Sequence, residues 1–157
     1  MHLHTAHIIW QRGTQPFIDK QYSRRHTIAF DGGIFVPGSS SPAVVPLPLS
    51  DPAAIDPEEA FIAALSSCHM LWFLSIAAAR QFCVDSYSDH AEGVLSHNTH
   101  GKLVISIVTL RPQVVFSGVR TPGQQEFLGM HREAHEDCFL ANSVLTEVKC
   151  EPKLETV

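Results

Sequence analysis

The stretch DPEEAFIAALSSCHMLWFLSIAAAR, residues 56–80, limits what this chain can fold into more than any other segment. It opens as a helix. Asp56 can cap, Pro57 suits the first helical position, and Glu59 stands three residues after Asp56 as in a capping box. The helix is expected to run from Pro57 to about Phe82. Its apolar side chains, Phe61, Leu65, Leu71, Trp72, Phe73 and Ile76 among them, cover nearly every face. A helix apolar all round is surrounded by other structure rather than laid on a surface. One sheet in a protein this small cannot enclose it, so a second chain is expected to pack against it.

Composition narrows the class of protein. Of 157 residues, 45% are hydrophobic and 17% charged, which fits one globular domain, residues 1–157, with a real core. A net charge of −5 without a basic stripe argues against nucleic acid as a partner. No basic segment leads into an apolar run at the N-terminus, so no signal peptide is expected. The longest apolar stretch is interrupted by polar residues and short for a bilayer, so no membrane partner is expected either. The expected address is cytoplasmic. There, four cysteines are free, metal-binding or redox-active rather than a permanent disulfide frame.

Residues 5–12 and 22–30 read as strands, with Asp31-Gly32-Gly33 closing the second as a turn. Residues 37–56 hold five prolines and read as an extended linker that lies against something, a partner subunit being one candidate. Further strands are expected at 84–95 and 102–116, with Pro112 marking a bulge or edge. A second helix is expected over 123–140. The tail from Val144 to Glu151 alternates as a half-buried strand with Val148 and Cys150 inward. The whole is an α+β fold.

Cys83 and Cys150 read most simply as small buried hydrophobes. Cys68 and Cys138 have polar company. On the second helix Leu128, His131, His135 and Cys138 recur at intervals of three and four, and so share one face, expected to point inward. That face can be a hydrogen-bonded core face. It can also be a metal site, with His131 and His135 one turn apart and Cys138 beside them. A third reading joins Cys138 to Cys68 across the core as a reversible disulfide, if the Cα atoms come within about 7 Å.

A thiol in apolar surroundings stays protonated, and the thiolate is the nucleophile, so a reactive Cys68 needs a nearby cation. Alternation along the second strand puts Tyr22, Arg24 and His26 on one face, with Ile28 and Phe30 extending it, and Arg25 on the other. Arg24 is therefore expected to face inward and Arg25 to face water. An always-charged guanidinium on an apolar face needs an anion. The Cys68 thiolate and the Glu58 carboxylate are the candidates, although as an acid in the helix's first turn Glu58 needs no further role. Ten residues of helix, about 15 Å, separate Glu58 from Cys68, so bringing these charges together points to a site shared between subunits.

The segments YSRRHTIAFDGG, DPEEAFIAALSSCHMLWFLSIAAA, SYSDHAEGVL, LRPQVVF and HREAHEDCFLANSV, in this order, resemble the OsmC/Ohr family of osmotically inducible and organic hydroperoxide resistance proteins. SSCHM and CFLANSV are closer to the OsmC-like branch; the hydroperoxide resistance branch typically has a CPYS-type segment at the second cysteine. The resemblance implies antiparallel sheets wrapped around two long central helices in an intertwined homodimer. It implies a thiol-dependent peroxidase of oxidative and osmotic stress defence, working without cofactor or metal on an organic hydroperoxide. Cys68 would be the peroxidatic cysteine and Cys138 the resolving one. Glu58 would be the acidic partner and Arg24 the active-site arginine, and His69 and His135 read as structural. A dithiol, a lipoyl-type one among the candidates, would be the reductant. Two other readings compete: a metal-binding protein using His131, His135 and Cys138, and a module holding a small ligand in an apolar dimer cavity.

Overall fold

The computed structural model describes residues 2–155. The chain folds as two compact units, Met1–Ala60 and Phe61–Val157.

The first unit is built on an antiparallel sheet of β1 (Ala6–Ile9), β2 (His26–Phe30) and β3 (Phe35–Gly38), with β2 central. Ile28 pairs with Ile8 on one side and Val36 on the other. The turn after β2 closes through Gly33, whose positive φ of 78° a residue with a Cβ rarely adopts. The proline-rich segment lies against its own sheet rather than standing free. Ser39 is fully buried, and its hydroxyl accepts the Asp51 N–H at 3.0 Å. The Ser39 N–H donates to the Ile55 carbonyl, and the Arg24 N–H to the Leu49 carbonyl. Beside the sheet, Trp10, Phe17 and Tyr22 form an aromatic cluster with ring centroids 4.8 to 5.8 Å apart.

At the end of this unit the capping box forms as the sequence indicates. The Glu59 N–H donates to Asp56 Oδ1 at 2.8 Å, and the Asp56 N–H to Glu59 Oε2 at 3.1 Å. Helix α1 (Pro57–Ala79) follows. It stops a turn before Phe82 because Gln81 takes a left-handed conformation, φ 63°, and the Phe82 N–H closes on the Ala77 carbonyl.

The second unit packs two three-stranded sheets with α1 and α2 (Gln124–Asp137). The expected long strands each break in two. Residues 84–95 become β4 (Cys83–Asp89) and β5 (Glu92–His97); residues 102–116 become β6 (Leu103–Leu110) and β7 (Pro112–Ser117). The breaks coincide: the Arg111 N–H donates to Asp89 Oδ1 at 2.6 Å, and Pro112, which has no N–H to offer a ladder, pairs with Asp89. Chain therefore passes from one sheet to the other at this corner. β8 (Glu147–Cys150) and β9 (Lys153–Glu155) then add in parallel, giving orders β5-β6-β8 and β4-β7-β9. The sheets of this unit are thus mixed, not purely antiparallel, and α2, at 14 residues, is short for a long central helix. The architecture is α+β.

Two apolar cores hold this unit. Phe73, Ile76 and Ala77 of α1 meet Val114 and Phe116 of β7 and Phe127, Met130 and Ala134 of α2. Nearer the start of α1, Leu65 packs with Val108 and Leu110 of β6. Each such large side chain, fully buried, contributes about 1.5–3 kcal/mol. The buried stripe of α2 is Phe127, Met130, His131 and Ala134, one position around from the expected face, so Leu128 and His135 are only half buried. Within the single chain α1 is buried on one side only. Ala64, Ser67, Leu71, Ser75 and Ala78 stay exposed, Leu71 at 61%. By length and hydropathy α1 would also pass for a membrane span, but its Phe73 side belongs to the aromatic core just described.

Candidate functional site

Cys68 sits on the buried side of α1, three residues after Leu65. Cys138 caps the C-terminus of α2 in an extended conformation rather than lying on a helix face, and a short 3-10 turn, Ala141–Ser143, follows. The two sulfurs stand 2.7 Å apart, with the Cys138 S–H directed at Cys68. Both are buried free thiols. Covalent S–S length is about 2.05 Å, so a bond between them needs only side-chain rotation. Burial first, and then the hydrogen bond to Cys68, push the Cys138 thiol up to about 11, against a weaker opposing pull from the Ala141 N–H on its sulfur. Cys138 therefore keeps its proton at neutral pH while Cys68 is a thiol, and can donate it to the Cys68 sulfur.

Arg24 and Glu58, the other two expected site residues, share a wall of one cavity of about 500 Å³ in the first unit, with Ile8, Trp10, Phe17 and Tyr22. Arg24 lies just before β2 rather than on it. Its guanidinium stacks over the Tyr22 ring at 3.8 Å and donates to the carbonyls of Lys20 and Tyr22. Arg25 turns outward, pairing with Asp51 at the surface, while Arg24 is half-buried, although β2 begins only at His26 and neither arginine lies on it. No hydrogen bond joins Arg24 to Glu58. The Glu58 Oε2 is buried without a partner among the described residues, a costly state for a carboxylate.

A third group of side chains escaped the sequence reading. His69, next to Cys68 on α1, meets His131 of α2 with Nε2 and Nδ1 3.0 Å apart and the rings coplanar to 4°. Cys150 of β8 brings its sulfur to 3.6 Å from the first nitrogen and 3.8 Å from the second. Both imidazoles are at most 2% exposed. Burial lowers His69 to about 4, helped by the charge of His135 and opposed by Asp89; burial and then His69 lower His131 to about 3. Both are neutral at pH 7. The pairing of His131, His135 and Cys138 as one ligand set does not form: Cys138 belongs to Cys68, and the companions of His131 are His69 and Cys150. Cys150 is thus no mere packing group, and Cys83 is exposed rather than buried.

Two free thiols are thus in contact, one on a helix and the other at the end of a second helix in an α+β fold, the arrangement a reversible disulfide requires. The OsmC-like protein family model matches residues 50–153, and the chain belongs to that family. An OsmC-like protein of unknown function from Vibrio cholerae is 55% identical, covering 98% of this chain and 100% of that one, with a TM-score of 0.95. The fold is also that of organic hydroperoxide resistance proteins. One from Elizabethkingia anophelis is 13% identical over 99% of both chains, TM-score 0.68; one from Bacillus subtilis is 15% identical over 98% of both, TM-score 0.65. No curated protein matches the chain.

Proposed function

We propose that this protein is a thiol-dependent peroxidase that reduces organic hydroperoxides to alcohols. The observation that carries the reading is the 2.7 Å contact between Cys68 and Cys138, in a fold whose relatives include organic hydroperoxide resistance proteins. The Cys68 thiolate attacks the O–O bond; the distal oxygen stays on sulfur as a sulfenic acid, and the alkoxide leaves and takes a proton as alcohol. Cys138 then attacks the sulfenic sulfur, water departs, and a Cys68–Cys138 disulfide remains. A dithiol, lipoyl-type compounds among the candidates, exchanges with that disulfide and restores both thiols as it is itself oxidised.

Arg24 and Glu58 complete the site in this reading. The role given to Arg24 is to favour the charged thiolate by its positive charge, and Glu58 fixes its orientation. The unpaired Glu58 oxygen supports a place for Arg24 there. The reading also includes a homodimer. The exposed stripe of α1 is a face of alanines and serines around Leu71, small side chains that let a second copy of the same helix approach closely. A cytoplasmic location, where reductants keep thiols reduced, agrees with this chemistry.

Turnover of cumene hydroperoxide with a lipoyl dithiol or dithiothreitol, followed by peroxide loss, tests the proposal. Cys68→Ser should abolish it. Cys138→Ser should slow recycling and let Cys68 advance to sulfinic acid, visible by mass spectrometry. Undiminished turnover in Cys68→Ser refutes the assignment.

A further inference from the structure

We propose that His69, His131 and Cys150 form a binding site for a zinc-class divalent metal ion, separate from the Cys68–Cys138 pair. The donor set is two imidazoles and one thiol, the ligand types that suit zinc among biological divalent ions. Their spacing is close to what such an ion requires. Zn–N bonds of about 2.05 Å and a Zn–S bond of about 2.3 Å at tetrahedral angles set the donors about 3.3 Å apart for N–N and about 3.6 Å for N–S. The observed edges are 3.0 Å between nitrogens and 3.6 and 3.8 Å from sulfur to each.

The three ligands come from α1, α2 and β8, elements fixed by the two apolar cores, so the spacing is set by the fold and not by a flexible loop. His131 is further held by the parallel Phe73 ring at 4.1 Å and the Phe127 ring edge-on at 4.7 Å. A cavity of about 320 Å³, lined by His131, His135, Arg132 and Cys150 among others, reaches two of the three ligands and gives the ion a way in. Three protein ligands beside such a cavity leave a fourth position for water, the pattern of a reactive rather than a closed zinc centre. Asp89 lies near enough for its charge to act on both His69 and Cys150, and a carboxylate there favours a cation.

Binding has a definite proton balance. The hydrogen bond between the rings carries one proton, and their nitrogens point at one another. The ion displaces that proton to an outer nitrogen, His69 Nδ1 or His131 Nε2, neither of which has a partner among the described residues. Each imidazole stays neutral, and both rings tip toward Cys150. The Cys150 thiol gives its proton to solvent and binds as thiolate. No oxidation state changes.

The test is anaerobic titration of the reduced, chelator-stripped full chain with Co²⁺, then displacement by Zn²⁺. One ion per chain is expected, with thiolate-to-cobalt charge-transfer absorption. Cys150→Ala should abolish that absorption, and the Cys68→Ser/Cys138→Ser double variant should keep it. X-ray absorption of the zinc-loaded wild type gives a readout that needs no variant: one sulfur and two imidazole nitrogens about the metal. Absence of stoichiometric binding, a signal that survives Cys150→Ala, or one lost with the Cys68/Cys138 pair overturns the proposal. Peroxide turnover of the stripped protein is a separate measurement, so failure of the metal site leaves the thiol mechanism to its own test.

Discussion

Oxidising Cys68 and Cys138 to the disulfide should stabilise the protein by an amount that their separation sets. The cysteines are 70 residues apart, and their sulfurs already touch, so bond formation needs little native rearrangement. In the chain-entropy account, closing a loop of that length removes about 15 cal/mol/K from the unfolded ensemble, about 4 kcal/mol at 25 °C. With an unfolding entropy of ~2.1 cal/mol/K per residue, a 157-residue chain should melt about 12 °C higher when oxidised. The assay is a pair of urea or thermal unfolding curves, one on protein reduced with excess dithiol and one on protein oxidised by one equivalent of cumene hydroperoxide. Peptide mapping identifies the bond. Cys68→Ser and Cys138→Ser should each abolish the difference. An oxidised protein no more stable than the reduced one, or a bond mapped to Cys83 or Cys150, would refute the claim that these two thiols are preorganised partners.

His69 and His131 fold with their values lowered to about 4 and 3, below the ordinary 6.5, so the unfolded chain binds protons there that the folded chain does not. Metal-free stability should thus fall as pH drops from about 6.5 toward 4, by about 2 kcal/mol per imidazole at pH 5. Chemical denaturation across that range checks this, and a slope unchanged in His69→Gln/His131→Gln would contradict it. In the proposed homodimer, Leu71→Glu should give monomers in light scattering, since a carboxylate buried at the contact should weaken association at least about a hundredfold. An unaltered mass would refute a subunit contact through this face of α1.

What the sequence reveals and what it hides divide along a physical line. Signals confined to a few neighbouring residues were legible. Asp56 and Glu59 cap α1 as their spacing indicates. The strand break at His90-Ala91 was not, and at Arg111 the neighbouring Pro112 announced a bulge or edge but not a passage to a second sheet. Neither run carries a hairpin signal at its break, and the corner forms where the Arg111 N–H meets the Asp89 carboxylate, 22 residues away in sequence. Cys138 and its partner were named as one of several options. Their pairing depended on how α2 ends, and the C-cap conformation at Cys138 has no glycine to announce it.

Cys150 is the instructive case. On a half-buried strand, alternation correctly put its side chain inward, and a cysteine on the same face as Val148 reads as packing. Its neighbours are His69, 81 residues earlier, and His131, 19 earlier, brought together because β8 runs parallel to β6 with Cys150 opposite Leu110. A parallel partner needs a crossover and leaves no hairpin signal in the sequence. Helical spacing made His131 and His135 look like a ligand pair for the same reason: a period of four is visible in one segment, whereas a donor arriving from another sheet strand is not. The polar atoms that a core must satisfy thus report on long-range topology, and two buried neutral imidazoles facing a thiol were the group that local pattern could not assemble.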